Sequence, residues 1–263
     1  MRHRWQVFFA WVCVGFAAIP VGCGPGDDLD ADLKQARSAF GGQKGKADFV
    51  YRAGFRQEAW EALAKKGDPK GQYLSALCRL AGTDGDPAPA AAYDLFQKAA
   101  NQGFPPAQTA VGLCHENGAG VEVDKVAAVG WYRKAAASGD AWAEHHLGIC
   151  YREGVGVEKD LATAAQWELR AAKQGLAQAQ TAIGYALEKG LGVPMDEAAA
   201  VEWYRKAAAQ GDDVGQMNLG VCAAQGVGMT KDLNEARAQL RKAAGQGNQL
   251  AARYLRQFGL ERE

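Results

Sequence analysis

Few side chains in this chain could build a reactive centre. Serines occur at Ser38, Ser75 and Ser138, histidines at His3, His115, His145 and His146, and cysteines at Cys13, Cys23, Cys78, Cys114, Cys150 and Cys222. A serine nucleophile activated by lysine needs the two side chains one helical turn apart, as Ser-x-x-Lys. Here the third residue on is Gly41, Cys78 or Ala141. His145 and His146 are adjacent, and consecutive helical residues diverge by about 100°, so the two rings do not close on one ion. The same divergence separates Cys114, His115 and Glu116, and a cysteine nucleophile would also need an exposed thiol beside a base. Gly118-Ala119-Gly120 lacks a following Gly-Lys-Ser/Thr and comes after a helical stretch, which is not the setting of a phosphate loop. No catalytic, metal-binding or cofactor-binding set is expected, and no cofactor.

What would position any such side chain is a repeat. Gly67, Gly103, Gly139, Gly175, Gly211 and Gly247 stand 36 residues apart with no insertion or deletion, as in a solenoid whose units bury their apolar faces against one another. An alanine pair precedes the later five, from Ala99-Ala100 to Ala243-Ala244, and Trp131, Trp167 and Trp203 share one column. Ala128, Trp131, Tyr132, Ala135 and Ala136 have the spacing of an amphipathic helix, with tryptophan expected to fill its core. Asp124, Asp160, Asp196 and Asp232 stand at the N-cap of that helix. The Gly-x-Gly pairs just before them suit a tight left-handed turn. In the other half of the unit, Ala143, Leu147, Cys150 and Tyr151 share a face. Gly112, Gly148, Gly184 and Gly220 keep one column small, so that the partner helix can approach. Each unit reads as a helix–turn–helix hairpin, and the chain as all-α.

The strings 143–160 and 164–175, repeated in phase, resemble Sel1-like repeats, a family of tetratricopeptide-type solenoids. The resemblance implies a right-handed α/α superhelix of 36-residue repeats. Residues 104–139, 140–175, 176–211 and 212–247 follow the pattern. Residues 68–103 follow it with Ala76 in the glycine column and with Gly82-Thr83-Asp84-Gly85-Asp86-Pro87 as the turn. Residues 48–67 align with a second helix and 248–263 with an unpartnered first helix, so each would cap one end of the stack. The family also implies a non-catalytic scaffold that gathers other proteins. Some cysteine-rich relatives carry a β-lactamase label, so a penicillin-binding or β-lactam-hydrolysing role is the alternative. The missing Ser-x-x-Lys pair, metal cluster and second cysteine column count against it.

The N-terminus is of another kind. Met1-Arg2-His3-Arg4 is basic, Trp5 to Ile19 is largely apolar, and small residues follow. This is the plan of a secretory signal over residues 1–22, too short for a comfortable membrane span. Val21-Gly22-Cys23 resembles a bacterial lipoprotein box, which implies lipidation of Cys23 and attachment to a membrane of the bacterial cell envelope. Residues 23–47, with Asp27, Asp28, Asp30 and Asp32 and later glycines, read as a tether with a short helix around Asp30–Phe40. Lys plus Arg equals Asp plus Glu, 30 each, so no global field attracts nucleic acid. Cys78, Cys114, Cys150 and Cys222 share one column. Equivalent positions of adjacent hairpins lie about 9–10 Å apart, beyond the roughly 7 Å that a disulfide spans, so buried thiols are expected.

First helices line the concave surface of a helical-hairpin solenoid. Opposite the packed face of 143–151 stand Trp142, His145, Ile149 and Arg152, and equivalent positions hold Leu113, Tyr185, Glu188, Met217 and Val221. The column Leu113, Ile149, Tyr185, Val221 is apolar. It either packs against the neighbouring first helix or offers a strip to a peptide or helix of a partner protein, with Trp142 and Tyr185 as anchors. These residues form the candidate partner-binding site.

Overall fold

A computed structural model describes residues 29–39, 56–83 and 85–261. The signal sequence and Cys23 lie outside the described residues, as do parts of the tether and of the N-terminal half-repeat. Every regular element among the described residues is a helix. The chain forms two compact parts, 1–104 and 105–263.

The N-terminal part holds α1 (Leu29–Ala39), α2 (56–65), α3 (Pro69–Ala81) and α4 (Pro89–Asn101). α3 and α4 pack as a hairpin, and α1 lies against α3. The expected short helix is present, but it is a docked cap and not a free stretch of tether. Asp32 is buried, accepting from Trp60 Nε1 at 3.0 Å and Arg56 Nη1 at 3.1 Å. Leu33 and Ala36 are buried beside it, and Lys70 Nζ sits 2.6 Å from Asp30. An acidic residue that a solvated linker would leave in water is here a buried acceptor.

The C-terminal part runs α5 (Pro105–Asn117), α6 (Lys125–Ala137), α7 (Ala141–Glu153), α8 (Leu161–Lys173), α9 (Ala177–Lys189), α10 (Glu197–Ala209), α11 (Asp213–Gln225), α12 (Leu233–Gly245) and α13 (Gln249–Gln257). Each packs on the next, and first helices also reach one another, α9 against α11 and α11 against α13. Asp124, Asp160, Asp196 and Asp232 cap the second helices through their side chains. A second set of caps escaped the sequence reading: Asp68, Asp140, Asp212 and Asn248 cap first helices. Asp140 Oδ1 also accepts from Thr109 Oγ1 at 3.2 Å, and Asp212 Oδ1 from Thr181 Oγ1 at 2.8 Å. The cap therefore ties one hairpin to the one before it.

Two expectations about packing need correction. The deepest column of the second helices is not tryptophan but the residue after it. Tyr132, Tyr204 and Leu240 are fully buried and Glu168 nearly so, whereas Trp131, Trp167 and Trp203 are half-buried. Trp167 packs on the core of α6 and α7, and Trp203 on that of α8 and α9, so each bridges to the preceding hairpin. Cations cover their outer faces: Lys134 over Trp131 at 3.9 Å, Arg170 over Trp167 at 4.5 Å, and Lys206 over Trp203 at 4.1 Å.

The small column likewise receives a side chain more than a helix backbone. A β-carbon on Gly112 would enter the Tyr132 ring. On Gly184 it would stand 2.7 Å from Tyr204, on Gly148 2.7 Å from Glu168, and on Gly220 2.7 Å from Leu240. The second turn glycine has a different reason: Gly192 is left-handed, and a β-carbon there would collide with the Leu161 carbonyl of the preceding hairpin. Cys78, Cys114, Cys150 and Cys222 are buried thiols outside any disulfide. Burial pushes Cys114, Cys150 and Cys222 up to about 12, far from the thiolate that nucleophilic chemistry needs.

The corrected core is testable. Tyr204→Ala should destabilise by about 3–5 kcal/mol, the cost of a large cavity, and Trp203→Ala by less, in urea unfolding at pH 7. A larger loss at Trp203 would return the core to the tryptophan column.

Candidate functional site

One hairpin puts a carboxylate where all the others put an aromatic ring or a leucine. In the α5/α6 hairpin Tyr132 lies over Gly112 and its hydroxyl donates to Glu116 Oε2 at 2.6 Å. In α9/α10, Tyr204 lies over Gly184 and donates to Glu188 Oε2 at 2.8 Å. In α7/α8 both partners are exchanged: Glu168 stands in the tyrosine column and Arg152 in the glutamate column. The Glu168 residue is 3% exposed. Its Oε2 sits 2.7 Å from His145 Nδ1, and its Oε1 lies 3.6 Å from Arg152 Nη1. Burial raises its pKa, and the bond from His145 and the charge of Arg152 partly offset that.

A second carboxylate is buried in the same hairpin. Glu144 occupies a column that elsewhere holds Gln72, Gln108, Gln180 and Gln216, and is 1% exposed. Arg170 Nε donates to its Oε1 at 3.0 Å and Gln174 Nε2 to its Oε2 at 2.6 Å. In other hairpins a neutral amide pair does this work, as Gln210 Nε2 to Gln180 Oε1 at 2.8 Å. Two charges taken out of water cost several kcal/mol each unless paired and hydrogen-bonded, and α7/α8 supplies the pairing from its own side chains.

Aromatic rings adjoin this ionic pair. Trp142 is half-buried and meets His145 edge-on with centroids 6.3 Å apart, and His146 at 6.5 Å. His146 stacks on Tyr132 at 5.1 Å. The two histidine rings are 5.9 Å apart and tilted by 50°, each with its own partner. No group of three or more His, Cys, Asp or Glu among the described residues is placed to hold a metal ion.

The expected site residues therefore divide. Trp142, His145 and Arg152 gather on α7 around Glu168. Tyr185 on α9 is 48% exposed. Glu188 is engaged by Tyr204 and by Lys189 Nζ at 2.5 Å. Leu113 packs on the core of α6 and α7, and Met217 and Val221 on the core of α11–α13, so at these positions the apolar column is largely a packing seam. Ile149 is half-buried. Glu168 and Glu144 were missed, although their departure from a tyrosine and a glutamine column was visible in the repeat.

His146 makes the hairpin acid-sensitive. Burial, then the neighbouring His145, lowers its pKa from 6.5 to about 3. The unfolded chain then binds the proton and the folded one does not. The His146 contribution to stability is whole above pH 6.5 and falls as pH drops towards 3, by at most about 1.4 kcal/mol per pH unit. Glu168, with its raised pKa, works in the opposite direction. His146→Phe, which keeps a ring on Tyr132, should leave stability at pH 7.5 nearly unchanged and flatten the decline between pH 6.5 and 4. Parallel profiles for both proteins in urea titrations would show that His146 does not carry the effect.

The comparisons agree with this architecture. Five segments match the Sel1 repeat, at residues 69–104, 105–140, 143–176, 177–212 and 214–248. No curated protein matches. A protective antigen of uropathogenic Escherichia coli that displays an SLR fold is 32% identical at a TM-score of 0.68, over 90% of this chain and 53% of that one. A Sel1 repeat protein from Oxalobacter formigenes is 32% identical at 0.68, over 87% of this chain and 64% of that one. The chain thus spans less than two thirds of either. A sel1 repeat protein from Klebsiella pneumoniae shares the fold at 21% identity and a TM-score of 0.50, over 76% of this chain and 98% of that one. With its glycine ladder, its stacked hairpins and five matched segments, the chain belongs to the Sel1 repeat family.

Proposed function

We propose that the protein is a non-catalytic scaffold of the bacterial cell envelope, exported and held to a membrane by lipid on Cys23. It binds a partner protein on the first-helix face, centred on α7 and reaching Tyr185. Sel1 repeats generally mediate protein–protein contacts, and the observation that carries the site is the concentration of departures in one hairpin. Glu144 replaces the glutamine that every other hairpin carries, Glu168 stands where the others have tyrosine, phenylalanine or leucine, and both bury charge, Glu168 against His145 and Arg152. Sequence that gives up local consistency at one place in an otherwise regular array is where function is expected. Trp142 and Tyr185 provide the aromatic area that dominates interfaces. β-Lactam chemistry gains no support: Ser75 is buried, and burial holds the Cys114, Cys150 and Cys222 thiols protonated. No described helix is long and apolar enough to cross a membrane.

Crosslinking in cells from a photoreactive residue at position 142 or 185 should capture the partner. Trp142→Ala with Tyr185→Ala should weaken capture by about 2 kcal/mol per anchor, with the helical signal intact. Undiminished capture would move the site off this face. Fatty-acid labelling should be present in the wild type and absent in Cys23→Ala; equal labelling of both, or of neither, contradicts the lipid anchor.

A further inference from the structure

The second helices of the C-terminal part carry a sign of charge that the first helices do not. In their last two turns Lys134, Arg170, Lys206 and Lys242 occupy one exposed column. Arg133, Arg205 and Arg241 occupy the column beside it, also exposed. Within those turns stands Glu168, which is buried and paired inward, and at their start the exposed Glu202. In the corresponding turns of the first helices acids and bases are mixed: Glu116, then Arg152 with Glu153, then Glu188 with Lys189. A single cation near a helix C-terminus is the ordinary complement of the helix dipole. Paired cations in register along consecutive helices, with Glu202 the one exposed carboxylate within a turn of them on their own helices, exceed that need. Some of the charge is answered locally, by Glu144 at Arg170 and by Glu235 at 3.8 Å from Arg205. Lys206 has Glu202 one turn before it, whereas Lys134 and Lys242 have no carboxylate within four residues on their own helices.

Beneath these cations lie the half-buried rings of Trp131, Trp167 and Trp203, with Lys134, Arg170 and Lys206 over their faces. Tryptophan with one face wet, flanked by long cationic side chains, is the composition that sits at lipid headgroups. Basic residues near an anionic bilayer each add attraction that decays within a Debye length. We propose that this face docks on an anionic lipid surface, its lysine and arginine columns meeting phosphate headgroups and the tryptophans lying at the interface. The chain as a whole is neutral, 30 charges of each sign, so the attraction orients the molecule more than it recruits it. Docked this way, the second helices meet the bilayer and the first helices face away from it, towards a partner. The envelope reading above supplies the membrane in question; binding to lipid is measured independently of it.

Cosedimentation of the full chain with phosphatidylglycerol/phosphatidylethanolamine vesicles and with phosphatidylcholine vesicles tests the proposal. The apolar N-terminal stretch contributes to both, so the ratio of the two bound fractions isolates the basic face. The wild type should favour anionic vesicles by about tenfold or more, with the preference falling as salt rises. Lys134→Glu with Lys206→Glu and Lys242→Glu should remove most of that preference. The milder Lys→Gln set at the same positions should reduce it while melting as the wild type does. Arg253→Glu with Arg256→Glu, an equal kind of charge change on α13, should leave the ratio within about twofold. An unchanged ratio in the lysine variants, or an equal loss in the α13 variant, would overturn the assignment. Binding to poly-glutamate without binding to anionic vesicles would also overturn it, in favour of an acidic protein. Fatty-acid labelling at Cys23 is read separately, so failure of the anchor and failure of the docking face are distinguishable.

Discussion

In each hairpin of the C-terminal part, a side chain of the second helix fills the space that a β-carbon of the first helix would occupy. Tyr132 does so at Gly112, Glu168 at Gly148, Tyr204 at Gly184 and Leu240 at Gly220. Much of the remaining packing follows from this lock. It forces glycine into the middle of a helix, where glycine costs roughly 1 kcal/mol relative to alanine. The cost is offset by burying a large side chain against backbone at native packing density. It fixes the register of the two helices, since a shift by one residue would drive a ring into a side chain. It also turns the preceding tryptophan outward, where it bridges to the hairpin before and carries a cation on its outer face. A tyrosine in the lock brings a hydroxyl with it, and Glu116 or Glu188 on the first helix receives it.

The α7/α8 hairpin shows what happens when the lock holds a carboxylate. Glu168 cannot donate as tyrosine does, and a bare buried charge would unfold the site. The hairpin answers with a base and a cation, His145 and Arg152, where its neighbours have threonine or methionine and glutamate or alanine. A second exchange, Glu144 for glutamine, is balanced by Arg170, which at the same time covers Trp167. Removing His145 or Arg170 alone would leave a buried carboxylate short of a partner. Replacing such networks by apolar or neutral pairs is often neutral or stabilising. Retaining one in a single repeat therefore points to selection for something other than stability. Trp142, resting against both histidines, is the group on this hairpin best suited to meet another molecule.

Much of the fold was legible because the period is short and unbroken. The glycine ladder, the second-helix caps and the cysteine column each recur at fixed spacing, and local chemistry suffices to interpret them. The core column was misread by one residue. Trp131 and Tyr132 both belong to the amphipathic stripe, and which of them goes deeper depends on where Gly112 lies on the other helix. The first-helix caps were obscured because their column alternates: Asp68, Phe104, Asp140, Leu176, Asp212. Burial of Asp32 was not legible, since its partner Trp60 stands 28 residues away and an acidic stretch ordinarily signals solvent. In the site, the repeat revealed Trp142 and His145 by their exposure on an idealised helix. Glu168 was hidden on the face assigned to the core, where only comparison down the column shows that a charge has replaced a ring.

The central claim is that the tyrosine–glutamate lock of the two flanking hairpins is a stable solution for this repeat, and that α7/α8 replaces it with an ionic one. Glu168→Tyr combined with Arg152→Glu restores in this hairpin the arrangement of its neighbours. Urea unfolding of the full chain at pH 7 should then show a gain of about 1–4 kcal/mol, in line with the replacement of other buried ion pairs. A double variant less stable than the wild type would mean that the ionic arrangement is the better packing for this hairpin, and would contradict the account.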